Sequence, residues 1–154
     1  MISIADTLRP ERIKLSLTAA APDAAILETA SLLKNSPAVL DWDGLFEGLR
    51  RAAPCLSEQG SDFAICLPHA RTEAVQTMVM SIGRSAEGIV FPECAQPVRY
   101  IFCIGVPRAL ASDYLRIVGL LARILKNPSA EAGLREATAS GDLIDDLAAL
   151  EARL

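Results

Sequence analysis

The fold of this chain is decided by one apolar stretch with a polar end: Phe63-Ala64-Ile65-Cys66-Leu67-Pro68-His69-Ala70-Arg71. The apolar part predicts a buried strand, and Pro68 is expected to fix a backbone turn where that strand ends. This places His69, the single histidine of the chain, at the end of a sheet. Because histidine side chains keep a nitrogen lone pair near neutral pH, His69 is a candidate nucleophile, a candidate ligand or a packed side chain.

Other segments extend the predicted sheet. Val75–Ile82 and Val98–Ile104 are almost continuously apolar, which is typical of strands covered on both faces. Arg12–Leu17 alternates polar and apolar residues and predicts a strand with one wet face. Gly88–Phe91 indicates a short strand or a turn. The short connections favour antiparallel pairing, so the sheet is expected to be mixed.

Apolar residues repeat at helical spacing in other segments of the chain, before and after the central strands. The expected helices run from Pro22 to about Leu33, from Leu40 to Arg51, from Leu110 to Leu125, from Pro128 (capped by Asn127) to about Thr138, and from Ser140 (as cap) to Leu154. This order predicts an α/β sandwich of one domain spanning residues 1–154, with a mixed sheet flanked by helices. It is not the strict alternation of a doubly wound fold, and glycine-rich nucleotide-binding motifs are missing.

Composition narrows the class of protein. Hydrophobic residues make up 51% of the 154 residues, which excludes a disordered chain. The net charge is −4 and the 15 basic residues are spread out, which argues against a nucleic-acid partner. The sequence has no run long enough to span a membrane and no signal peptide, so we expect a cytoplasmic protein.

The cysteines are Cys55, Cys66, Cys94 and Cys103. They form no C-x-x-C pair, and we expect buried, reduced thiols in a reducing compartment. A metal site made by Cys66 and His69 is the alternative, but the sequence offers no second pair of ligands and we expect no metal.

Four segments in this order carry a family resemblance: Ala64-Ile65-Cys66-Leu67-Pro68-His69-Ala70-Arg71, Gly88-Ile89-Val90-Phe91, Pro97-Val98 continuing through Ile101-Phe102-Cys103-Ile104-Gly105-Val106-Pro107, and Tyr114-Leu115 continuing through Leu120-Leu121-Ala122-Arg123-Ile124-Leu125. Together they resemble the IIA domains of the bacterial sugar phosphotransferase system, of the fructose/mannitol and nitrogen-regulatory type. The resemblance covers the chain from Leu8 to about Leu150.

The resemblance implies that His69 accepts a phosphoryl group from a histidine-containing phosphocarrier protein, without a cofactor. Arg71 is then a candidate donor to the phosphate oxygens and Tyr114 a candidate neighbour of the ring. Sugar-specific members of the family pass the group to a cysteine of a IIB component, whereas nitrogen-regulatory members signal to target proteins. We expect the nitrogen-regulatory type, and a homodimer is compatible with the sequence.

The sequence departs from the family at three places. Tyr114 stands where a second histidine is usual, Asp62 and Ala64 replace glycines, and a usual arginine has only Arg50 or Arg51 as a near counterpart. These departures keep an alternative open, in which the chain is a non-catalytic module that binds partner proteins. A hydrolase using Cys66 and His69 has little support, because no orienting third group is evident.

Overall fold

The computed structural model describes residues 3–153. In chain order the elements are α1 (Ile4–Thr7), β1 (Ile13–Lys14), α2 (Pro22–Ala30), α3 (Trp42–Arg51), β2 (Cys55–Leu56), β3 (Ala64–Cys66), β4 (His69–Arg71), β5 (Val79–Ile89), β6 (Val98–Val106), α4 (Ala111–Lys126), α5 (Pro128–Glu136) and α6 (Ser140–Glu151). None of the helices within these residues combines the length and hydrophobicity that crossing a bilayer requires.

The strands form a mixed sheet in the order β1-β5-β6-β3-β2, and β4 also pairs with β6. The long pair β5–β6 is antiparallel, whereas β3 and β4 both run parallel to β6. β1 is parallel to β5, and β2 is antiparallel to β3. The expected mixed sheet flanked by helices is therefore confirmed.

The chain does not turn away from the sheet at Pro68, which corrects the expectation from sequence. Cys66 pairs with Ile101 and His69 pairs with Ile104, so β3 and β4 follow β6 along one line. Proline has no N–H to donate, but the Pro68 carbonyl accepts a hydrogen bond from the Ile104 N–H at 2.9 Å. The ladder is interrupted at Pro68 and resumes at His69.

Several boundaries differ from the sequence prediction. Of the predicted strand Arg12–Leu17, only the two residues of β1 form a strand. The strand expected at Val75–Ile82 begins later and is longer; it is β5, which includes Gly88 and Ile89. The short strand β2 has no counterpart among the strands expected from the sequence. Ser140 is the first residue of α6, and it does not cap that helix with its side chain.

Both faces of the sheet are buried, which explains the near-continuous apolar runs. Tyr100, Phe102 and Ile104 of β6 pack into one core with α4, α5 and α6. Ile101 and Cys103 face the opposite core, which holds residues of α2 and α3. Successive side chains of a strand point to opposite faces of the sheet. When both faces are buried, residues on both faces are therefore mostly apolar.

The two ends of the described chain meet. The Ile4 N–H donates to both carboxylate oxygens of Glu151, each at 3.0 Å. Arg116 lies 3.4 Å from the same carboxylate. The start of α1 is thus attached to the end of α6.

A buried carboxylate lies between the sheet and α5. Glu131 is 5% exposed and accepts hydrogen bonds from the Tyr100 hydroxyl and, at 3.0 Å, from Arg99. Burial, and then the bond with Glu131, raise the pKa of Tyr100 above its ordinary value. The carboxylate therefore satisfies one buried and one part-buried donor of β6.

We predict that Glu131→Ala lowers the free energy of unfolding by about 3 kcal/mol, because it removes the carboxylate that the buried Tyr100 hydroxyl and the part-buried Arg99 guanidinium share. Urea unfolding followed by circular dichroism measures this. Glu47→Ala is the matched control, since Glu47 also pairs with arginines on a helix but at the surface. Equal urea midpoints for the two variants would contradict the structural importance of Glu131.

Candidate functional site

His69 is the first residue of β4, and its backbone is held from both sides. On one side it pairs with Ile104 of β6. On the other side its N–H donates to the Ala52 carbonyl at 2.9 Å, just after α3 ends. The side chain is half-buried, so the ring is fixed at its base and still reaches solvent.

One hydrogen bond determines which ring nitrogen can react. Nδ1 of His69 lies 3.0 Å from the Leu67 carbonyl oxygen. A carbonyl can only accept, so the neutral ring carries its proton on Nδ1 and donates it to Leu67. Nε2 is left with its lone pair, which is the form needed for attack on phosphorus or for binding a ligand.

Tyr114 packs against the imidazole. The two ring centroids are 4.7 Å apart with an angle of 26° between the planes. Tyr114 lies in the first turn of α4, so this stacking places the start of the helix beside His69. Burial raises the pKa of Tyr114, and its hydroxyl therefore stays a neutral hydrogen-bond donor at physiological pH.

Two arginines lie at or just beyond the ends of the strands that hold the ring. Arg71 is exposed and lies two residues after His69 in β4, which puts both side chains on one face of the sheet. Arg71 pairs with Val106 of β6, and Arg108 follows shortly after that strand. Arg108 forms an exposed ion pair with Glu73 at 4.0 Å. No local sequence pattern marks Arg108, because only the parallel register of β4 and β6 brings it near this site.

Comparison with known proteins places the chain in a family. The family model for the phosphoenolpyruvate-dependent sugar phosphotransferase system, EIIA 2, matches residues 6–149. The chain belongs to this family. The fructose-specific EIIA component of Haloferax volcanii is 33% identical over 145 residues, which cover 92% of this chain and 93% of that protein. The chain is thus an EIIA component of a sugar phosphotransferase system.

Solved structures show the same fold. The nitrogen regulatory protein IIA-Ntr of Neisseria meningitidis matches with a TM-score of 0.76 and 22% identity, covering 94% of this chain and 98% of that one. Mannitol IIA of Escherichia coli, in its complex with phosphorylated IIB, matches with a TM-score of 0.68 and 19% identity, covering 92% of this chain and 97% of that one. The predicted EIIA architecture is confirmed.

The acidic departure from the family pattern lies away from His69. Asp62 is 3.8 Å from Arg99, near the start of β6. His69 pairs five residues further along β6, roughly 16 Å away at about 3.3 Å per residue. Arg50 and Arg51, the two near counterparts of the usual arginine, both pair with Glu47 on α3.

Cys66 and His69 do not form a common site. Cys66 packs in the core beneath α2 and α3, whereas the His69 ring stacks on α4 at the other face. Burial raises the pKa of the Cys66 thiol to about 12, which keeps it protonated and unreactive. Within residues 3–153, histidine, cysteine and acidic side chains form no group of three that could hold a metal ion.

The expectation of four reduced thiols was wrong for two of them. Cys55 of β2 and Cys94 of the β5–β6 connection form a disulfide with their Cα atoms 5.7 Å apart. Cys66 and Cys103 remain free and buried. The pair is separated by 39 residues, so local cysteine spacing gave no sign of it.

We predict that neutral His69 carries its proton on Nδ1, because the Leu67 carbonyl holds that proton. Long-range proton–nitrogen correlation NMR on the uniformly labelled chain measures this directly, since a single histidine makes the ring signals unambiguous. The chain unfolded in urea supplies the reference without the Leu67 contact. Finding the proton on Nε2 in the folded chain would contradict the site geometry.

Proposed function

We propose that this EIIA chain is a phosphoryl carrier that accepts its phosphoryl group on Nε2 of His69 from a histidine-containing phosphocarrier protein. The observation that carries the proposal is the hydrogen bond from Nδ1 to the Leu67 carbonyl. It leaves Nε2 as the unprotonated nitrogen of a ring that reaches solvent, where a partner protein can present its phosphohistidine.

The transfer needs little covalent help from the protein. The Nε2 lone pair of His69 forms the new N–P bond while the N–P bond of the donor breaks. The electron pair of the broken bond stays on the donor imidazole, which keeps the proton on its other nitrogen and so leaves as a neutral ring. The His69 ring gains positive character as its proton stays on Nδ1, and the Leu67 carbonyl stabilises that charge. Positioning and electrostatics supply the catalysis.

Phosphorylation places about −1.5 to −2 charges at the site. Arg71 and Arg108 lie at the same end of β4 and β6 and supply positive charge there. The start of α4 contributes as well, since it lies beside the ring and has no side-chain cap on its first N–H groups. Tyr114 offers one neutral hydroxyl donor in place of a second imidazole.

Two roles in this family differ in the protein that receives the phosphoryl group. The 33% identity to a fructose-specific EIIA component favours transfer to a cysteine of a IIB component, as does the fold shared with mannitol IIA in its IIB complex. The fold shared with IIA-Ntr supports the nitrogen-regulatory role that the sequence analysis favoured. We propose the cytoplasm as the location in both cases, and IIB transfer as the first role to test.

We predict that wild-type chain becomes phosphorylated when mixed with phosphoenolpyruvate, the general phosphotransferase enzyme and the phosphocarrier protein. Intact-mass spectrometry should show one added phosphoryl group that is labile in acid and stable in base. His69→Ala should show none, because the chain has no other histidine. An unmodified wild type, under conditions that label an authentic EIIA protein, would refute the carrier function.

Arg71→Gln is expected to slow the initial phosphorylation rate about tenfold, since it removes one exposed cation that stabilises the transferring group. Arg108→Gln should have a smaller effect, because Arg108 is partly neutralised by Glu73. Arg123→Gln, near the far end of α4, is the matched control and should keep the wild-type rate. If Arg71→Gln and Arg123→Gln behave alike, Arg71 does not contact the phosphoryl group.

Tyr114 favours a second candidate, a module that binds partners without carrying phosphate. A tyrosine cannot supply the positive charge of a second histidine near neutral pH. In this case His69→Ala and His69→Glu would bind partner proteins as the wild type does, and the wild type would stay unlabelled. Tyr114→His would then be the variant expected to gain phosphorylation.

A further inference from the structure

The disulfide lies next to the backbone that holds the EIIA histidine. Cys55 belongs to β2, and Cys94 belongs to the connection between β5 and β6. The covalent loop that they close contains β3, β4 and β5, and therefore His69. Forming or breaking this disulfide therefore constrains or releases the segment that carries His69.

The chain around Cys55 positions His69 through two backbone hydrogen bonds. The Ala52 carbonyl accepts from the His69 N–H, and the Pro54 carbonyl accepts from the Leu67 N–H, each at 2.9 Å. Leu67 is also the residue whose carbonyl holds the Nδ1 proton. Cys55 follows Pro54 directly, so the disulfide fixes the edge that sets the ring's backbone and its tautomer.

Beyond these two hydrogen bonds, the edge strand β2 is held in the sheet by a short ladder. β2 is the last strand of the sheet order, and its ladder with β3 consists of two residue pairs, Cys55 with Cys66 and Leu56 with Ile65. Short edge strands open more easily than central strands because few contacts must break. The disulfide attaches this strand to a second connection of the sheet.

The other thiols do not compete for the bond. Cys66 lies opposite Cys55 in the ladder, but it is fully buried and its high pKa keeps it protonated. Cys103 is also fully buried. Because a thiolate is the attacking species in disulfide exchange, these two residues leave the bond intact. Cys55 and Cys94 are only half-buried and remain within reach of an external reductant.

We propose that Cys55–Cys94 is a redox-sensitive modification site that controls how fast His69 accepts its phosphoryl group. A dithiol reductant donates two electrons and two protons. It becomes a disulfide while the Cys55–Cys94 bond becomes two thiols. The reduced edge strand then holds Ala52 and Pro54 less firmly against β4. Disulfides of cytoplasmic proteins are usually of this transient, sensing kind. The inference rests on the proposed carrier function of His69.

The first measurement compares oxidised chain with chain reduced by dithiothreitol and freed of it under anaerobic conditions. Mass spectrometry after alkylation in denaturant should count two labelled cysteines in the oxidised chain and four in the reduced chain. The oxidised chain should be phosphorylated about three- to tenfold faster than the reduced chain, because loss of positioning slows a transfer that depends on it. Equal, measurable rates in the two forms, or four labelled cysteines after oxidation, would overturn the proposal.

Two variants separate the disulfide from the other thiols. Cys94→Ser should be phosphorylated at the rate of reduced wild type under both conditions. Cys66→Ala should keep the redox difference, because it retains Cys55 and Cys94. A redox difference that persists in Cys94→Ser would overturn the proposal.

Amide hydrogen exchange on wild-type chain tests whether the Cys55–Cys94 bond is coupled to the backbone at His69. This measurement needs no variant, so it applies even if a variant fails to fold. On reduction of wild type, exchange should accelerate at the amides of Leu67 and His69, while the amide of Phe102 in central β6 stays protected. Unchanged exchange at Leu67 and His69 would overturn the proposal. If neither redox form is phosphorylated but the two amides still respond, the carrier function fails and the mechanical coupling stands.

Discussion

The ladder along β6 is the constraint on which the site depends. This strand pairs with β5 on one side and with both β3 and β4 on the other, so it fixes where the chain resumes after Pro68. A proline at that point removes one donor, yet its carbonyl keeps the register through Ile104. His69 therefore starts a strand of its own, with its ring turned back onto the carbonyl of Leu67.

The periodic spacing of hydrophobic residues predicted most strands and helices. Contacts that depend on how the strands align in the sheet could not be predicted in this way. Local sequence patterns predicted three features that the structure contains: the buried strand before His69, the helices on both sides of the sheet and the cap at Asn127. The stacking of Tyr114 on His69, the position of Arg108 and the Cys55–Cys94 pairing depend on residues far apart in the chain. No local pattern encodes such contacts, although the family resemblance singled out Tyr114.

Polar groups in this protein fall into two environments with different consequences. Glu131 and Tyr100 are buried and satisfy one another, so they act on stability and are closed to partners. His69 and Arg71 lie at the exposed end of the same sheet, where a half-buried ring and an exposed cation can meet a second protein. Strand β6 is shared by both, because Tyr100 belongs to it and His69 and Arg71 pair with its Ile104 and Val106.

The contact between Ile4 and Glu151 has a consequence for how the chain could be reconnected. Because the start of α1 and the end of α6 touch, a short linker would close the backbone into a ring without crossing the sheet. New termini opened in the exposed turn at Glu58–Gly60 would cut no strand and no helix. A circularly permuted chain would keep the order of neighbours in the sheet, so this architecture depends on how the elements pack rather than on their order along the chain.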